Sequence, residues 1–275
     1  KNEYDRAAKV YQKIVQIDQE NLESRKSLAG ALKKIGREKE AMDQYRTIGK
    51  MVCARGILEE ESAKYLAAAG ESIVESEPND LLARKWMADA YLSQSREKDA
   101  ISQLHEILKR MDEKKNLELL VETLKTLVVL EPKDLDNHFK LAETYLKIKK
   151  EREAVQEYFV LGLKAAEIGE TERALSAFDR LLSFDPSNYA THLKKADILL
   201  KENKKEEAIE ELMLTGYLSK GADKLWQAVK SFRQALSIDK NTHALCYLEL
   251  GKLYQKLGKE KEALAAYKKH AQKNV

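Results

Sequence analysis

Helix breakers are scarce in this sequence: three prolines and eleven glycines stand among 275 residues. Ala, Leu, Lys and Glu are abundant instead, a balance that suits long helices and leaves little room for a turn-rich β architecture. Cysteine is scarcer still. Cys53 and Cys246 lie too far apart for a metal knuckle, and two residues make no disulfide framework, so both are expected to be small buried apolar side chains. This usage favours a reducing, cytoplasmic compartment and is compatible with an oxidising one. No apolar run nears the roughly 20 residues that a membrane span needs. The greasiest stretch, residues 117–130, is broken by Glu118, Glu122 and Lys125, so no membrane insertion is expected. An excess of one charge is also missing: 49 basic residues against 46 acidic ones give a net charge of +3. That balance, with no unbroken basic stripe, gives no ground for a nucleic-acid partner.

Catalytic signatures are absent too. The sequence has no nucleophile motif, phosphate-cradling glycine loop or paired-carboxylate arrangement. The five histidines, His105, His138, His192, His243 and His270, show no convergent metal-ligand spacing and are expected to pack or be partly exposed. Trp86 and Trp226 fall inside helical patterns and are expected in the packing. The reading is therefore a protein that is not an enzyme and that needs neither cofactor nor metal.

What is present is a repeat. Pro78, Pro132 and Pro186 are spaced by 54 and 54 residues, and another 54 reaches Lys240 in a segment that resembles Phe184-Asp185-Pro186-Ser187. Ile17-Asp18-Gln19-Glu20 has the same shape. Each site is followed by a good helix N-cap: Asn21, Asp80, Asp134, Asn188 or Thr242. A helix should stop at each of these points and another start. Between them, apolar residues recur at spacings of three and four, as in Leu141, Ala142, Tyr145, then Ala154, Tyr158, Leu161, Gly162, then Ala174, Phe178, Leu181. The same register covers the chain. It divides it into units 22–80, 81–134, 135–188 and 189–242, with partial units 1–21 and 243–275, in a single helical-repeat domain of about 15 helices over 1–275. The first complete unit has 59 residues rather than 54, and the five extra ones fall after Gly49, around Met51 to Glu61. The start at Lys1, inside a repeat, reads as a fragment of a longer protein.

These residues resemble tetratricopeptide repeats, whose 34-residue helix-turn-helix pattern is followed by Leu161, Gly162, Gly169, Ala174, Phe178, Leu181 and Pro186, and again by Leu250, Gly251, Tyr254, Gly258, Ala263 and Tyr267. Gly162, Gly216 and Gly251 take the helix-crossing positions, and Gly36, Gly169 and Gly258 the turns. One departure stands out: the motif in 135–168 overlaps that in 155–188, so one helix closes one repeat and opens the next. The period is three helices. The middle helices, with Tyr158-Phe159-Val160-Leu161 and Leu212-Met213-Leu214, are therefore expected to be packed around more of their circumference.

The resemblance implies an all-α, α-α superhelical solenoid that acts as a non-catalytic protein-protein interaction scaffold or adaptor. A protein or peptide partner would lie along its groove. Alternatives are a structural spacer of a larger cell-envelope or motility assembly, and a nucleic-acid-binding helical repeat. In the family, partner contacts come from the first helix of each repeat. That places the protein-binding residues at Lys85, Asp89, Phe139, Glu143, Leu193 and Asp197. The family's carboxylate clamp pairs Asn with Lys; Gly30 and Asp89 replace the expected Asn, so clamp function is not implied. If the first helices stack side by side, Asp89, Glu143 and Asp197 form one acidic row. If every helix pairs antiparallel with the one before, three helices per unit place equivalent helices in alternate layers and split it.

Overall fold

The computed structural model describes residues 2–56, 58–113, 115–239 and 244–273. Among them are fifteen α-helices and no strand: α1(Asn2–Ile17), α2(Leu22–Lys34), α3(Glu38–Ala54), α4(Glu60–Ser76), α5(Leu81–Ser93), α6(Glu97–Arg110), α7(Leu117–Leu130), α8(Leu135–Lys147), α9(Glu151–Glu167), α10(Thr171–Phe184), α11(Tyr189–Lys201), α12(Lys205–Gly221), α13(Leu225–Ile238), α14(Ala244–Lys256) and α15(Glu260–Lys273). They form two compact units, Lys1–Pro132 and Lys133–Val275.

The punctuation works as the residues dictate. Helices α4, α7 and α10 each end two residues before a proline, because the residue before proline disfavours the helical region. The next helix is then capped by a side-chain oxygen. Asn21 accepts from the Ser24 amide at 2.9 Å, Asp80 from Ala83 at 2.9 Å, Asp134 from Asp136 at 3.0 Å and Asn188 from Thr191 at 3.1 Å. The cap expected at Thr242, the break near Lys240 and His243 lie outside the described residues. The five additional residues of the first unit are divided between a helix and a turn. α4 has 17 residues where α10 has 14, and the connection before it spans 55–59 against 168–170. The shorter interhelical turns pass through the left-handed region. Gly36 does so at φ +84°, while Ser95, Lys149 and Asn203 hold the same place at 57–60° with a side chain.

Small residues meet aromatic rings at the crossings. Gly49 faces the ring of Trp86, Gly162 that of Phe178, Gly216 that of Phe232, and Gly251 that of Tyr267. Phe178 and Phe232 are fully buried. A Cβ at any of these glycines would stand closer to its ring than real carbon contacts come, so close approach of the helices is what requires glycine there.

A second periodic device is made of Arg25, Arg84, His138 and His192. Arg25 donates to the Gln19 carbonyl and to Gln44 Oε1, and Arg84 donates to the Pro78 carbonyl and to Gln103 Oε1. His192 repeats the arrangement with the Pro186 carbonyl at 3.1 Å and Glu211 at 2.5 Å. His138 bonds Glu157 at 2.5 Å, and its Nε2 is buried without a partner. Each side chain ties its own helix to the next one 19 residues on, and three of the four also hold the preceding turn. Buried histidines are thus cross-braces between helices, more specific than the packing expected of them.

Three expectations are corrected. Cys53 is exposed, since α3 turns it away from the buried side that carries Ile48 and Val52; Cys246 is buried. Trp226 is 55% exposed near the start of α13, with the Lys259 ammonium 4.8 Å from its ring centre, whereas Trp86 is in the core. The middle helices are not enclosed: Val160 and Leu163 on α9, and Leu214 and Tyr217 on α12, remain exposed. In a two-layer stack each helix keeps one face toward solvent, whatever its place in the unit.

Candidate functional site

Within the second unit, α8 and α10 lie side by side with α9 behind them. Two ion pairs at equal sequence spacing bridge them: Arg173 with Asp136 at one end, and Arg180 with Glu143 at 3.3 Å toward the other. Between them opens a cleft of about 640 Å³. α8 contributes Phe139, α10 contributes Ser176 and Ala177, and α9 supplies Tyr158 and Leu161 behind them. Phe139 is 49% exposed and meets Tyr158 edge-on, with ring centres 6.4 Å apart. Tyr158 is itself fully buried and donates its hydroxyl to Glu143. Burial, and then this bond to a carboxylate, push the Tyr158 phenol up to about 12. It therefore stays protonated and holds Glu143 in place.

The cleft has an apolar middle and charge-balanced ends. Both arginines and both carboxylates keep much of their solvent contact, so each pair is worth about 0–1 kcal/mol. Such pairs are readily exchanged for a partner's charges.

The expected binding residues are not all together. Phe139 and Glu143 share this cleft. Leu193 is partly buried against the core formed by α11 to α15. Asp197 lines a different cleft of about 410 Å³, where Leu163 and Glu167 of α9 face Lys194 and Lys201 of α11 across Phe178. α8 and α10 therefore occupy one layer, and α9 and α11 the other. Phe139 and Leu193, equivalent in sequence, are in opposite layers, and Glu143 is separated from Asp197. This is the split arrangement that antiparallel pairing over a three-helix period demands. In the first unit, Lys85 and Asp89 pair with each other at 2.5 Å along one turn of α5.

The sequence marks Tyr158 only as a packing residue, and Asp136, Arg173 and Arg180 not at all. A signal for the arginines exists: each stands 37 residues after its carboxylate, Asp136 to Arg173 and Glu143 to Arg180. No described helix is long and apolar enough to cross a membrane.

Comparison with known proteins places the repeats in a family. Residues 159–217 and 244–269 each match a tetratricopeptide-repeat family model. No curated protein matches the chain. Among solved structures, it is similar to YrrB, described as a TPR protein with an unusual peptide-binding site, at 17% identity over 79% of this chain and 99% of that one, with a TM-score of 0.35. Pseudomonas aeruginosa pilF is 20% identical over 81% and 98%, with a TM-score of 0.35. The C-terminal part of a TPR repeat-containing protein from Cytophaga hutchinsonii is 12% identical over 98% and 90%, with a TM-score of 0.41. At scores this low the likenesses add nothing to the repeat matches. The repeat matches, the glycine–aromatic crossings and the all-helical stacking agree, and this chain carries tetratricopeptide repeats at residues 159–217 and 244–269.

Proposed function

We propose that the chain is a non-catalytic protein-interaction scaffold and that the α8–α10 cleft seats a segment of a partner protein. The observation that carries this reading is Phe139, a half-exposed phenylalanine flanked by two exchangeable arginine–carboxylate pairs. A phenylalanine presents on the order of 200 Å² of apolar surface, so covering its exposed half is worth about 2–3 kcal/mol. That is the size of a single interface hot spot. A segment with one apolar anchor and charged flanks would cover Phe139 and trade its charges with Arg173, Arg180, Asp136 and Glu143.

The test is selection of peptides on the whole chain, followed by titration of the selected peptides against variants. Phe139→Ala should weaken those that bind this cleft at least tenfold, and Arg180→Glu should weaken them and shift their charge preference. Lys149→Ala, on a turn, should leave affinity unchanged. Selected peptides that bind Phe139→Ala and Arg180→Glu as tightly as the parent would overturn the reading.

A further inference from the structure

A second cleft, of about 610 Å³, lies between α13 and α15, and its charges are arranged differently. Its floor is apolar: Leu236, Leu250 and Ala266 are buried beneath it. One wall carries the aromatic side chains Tyr247 and Tyr254 from α14. The charged groups at its mouth are Arg233, Lys269 and Glu262. Glu262 is turned toward Lys259, 3.7 Å away. Arg233 and Lys269 have no carboxylate partner among the described residues. The Lys269 ammonium stands 5.7 Å from the centre of the Tyr247 ring, and that of Lys273 stands 5.9 Å from it. In the α8–α10 cleft each arginine is matched by a carboxylate of the same chain; here two exposed cations at the mouth are not.

We propose that the α13–α15 cleft is a separate docking site for an acidic peptide segment that inserts one aliphatic or aromatic side chain between Tyr247 and Tyr254. The anchor would lie on Leu236 and Leu250 while flanking aspartate or glutamate side chains reach Arg233 and Lys269. Exposed cations that pay little desolvation and meet carboxylates in bidentate or point contact supply register and on-rate, and the apolar floor supplies affinity. The cleft is short and apolar-floored, and two cations are too few to track a phosphate backbone, so a protein segment fits it better than a nucleic acid. The proposal does not depend on occupation of the α8–α10 cleft.

The probes are fluorescein-labelled dodecapeptides, acetylated and amidated so that no terminal carboxylate is available, each with one Leu, Phe or Tyr anchor flanked by Asp and Glu. Matched peptides with Lys and Arg flanks, and a single-stranded oligothymidylate, are titrated beside them by fluorescence anisotropy. The full chain should bind acidic members of the set at least tenfold more tightly than the basic counterparts, and more weakly as salt is raised. Arg233→Glu with Lys269→Glu should abolish that preference while the helical circular dichroism is retained, both positions being exposed. Phe139→Ala should leave it intact, which distinguishes this site from the other. The proposal fails if no acidic peptide outperforms its basic counterpart, if the charge-reversed variant keeps the preference, or if the oligothymidylate binds more tightly than every peptide.

Discussion

Replacing Gly162 by alanine adds a single methyl group to α9, and its cost follows from the structure. The new Cβ would stand 2.3 Å from Phe178 Cε1 and within 2.7 Å of two further ring atoms. Phe178 has no exposure, so the ring cannot swing into solvent. Overpacking of this kind costs about 1–3 kcal/mol, and the three simultaneous contacts put this case near the upper end. Alanine in place of glycine returns about 1 kcal/mol of helix propensity. The net loss is about 2 kcal/mol. Gly30, inside α2, supplies the opposite case: a Cβ there meets nothing within 4 Å, so Gly30→Ala should gain about 1 kcal/mol from propensity alone. Urea titrations followed by circular dichroism should move the midpoint down for one variant and up for the other. Shrinking the ring should relieve the clash, so Gly162→Ala should cost less in a Phe178→Leu background than in the parent. Equal costs in both backgrounds, or a Gly162→Ala protein as stable as the parent, would refute the contact argument.

Arg84→Ala should destabilise by about 1–3 kcal/mol, because it leaves the Pro78 carbonyl and Gln103 without their donor in a buried setting; a melt unchanged from the parent would remove the cross-brace role. Asn188→Ala should cost about 1 kcal/mol through loss of the cap on α11, checked by the same titration. The His192 brace should be pH-dependent. Burial works to lower its pKa, but the bonds to Glu211 and the Pro186 carbonyl outweigh that and leave it raised; Lys195, held by Asp179 and Glu211, is the other charge facing it. A raised folded pKa means the brace's stabilisation is complete below the ordinary histidine value and is lost as pH rises through the folded one. The stability difference between the parent and His192→Gln should therefore shrink between about pH 6 and the alkaline side, and a difference that grew with pH would contradict the assignment.

The sequence by itself determined the features set within one or two turns of helix. The prolines act on the residue before them, and the caps at Asn21, Asp80, Asp134 and Asn188 on amides two or three residues away, so helix ends were legible. The glycines at 162, 216 and 251 were legible as crossings, because a gap in a periodic apolar face marks where a neighbour must approach. Which side chains share a cleft was decided only by tertiary structure. An odd number of helices per period reverses the layer of each equivalent helix, so Phe139 faces an open cleft while Leu193 packs on a core, with the same place in the motif. Trp226 and Cys53 sit within helical patterns yet face solvent, because periodicity fixes a face and only the neighbouring helices fix whether that face is covered. The ties from Arg84 to Gln103 and from Arg180 to Glu143 join residues 19 and 37 apart, distances over which a helix imposes no geometry and only the stacking of successive helices brings partners together.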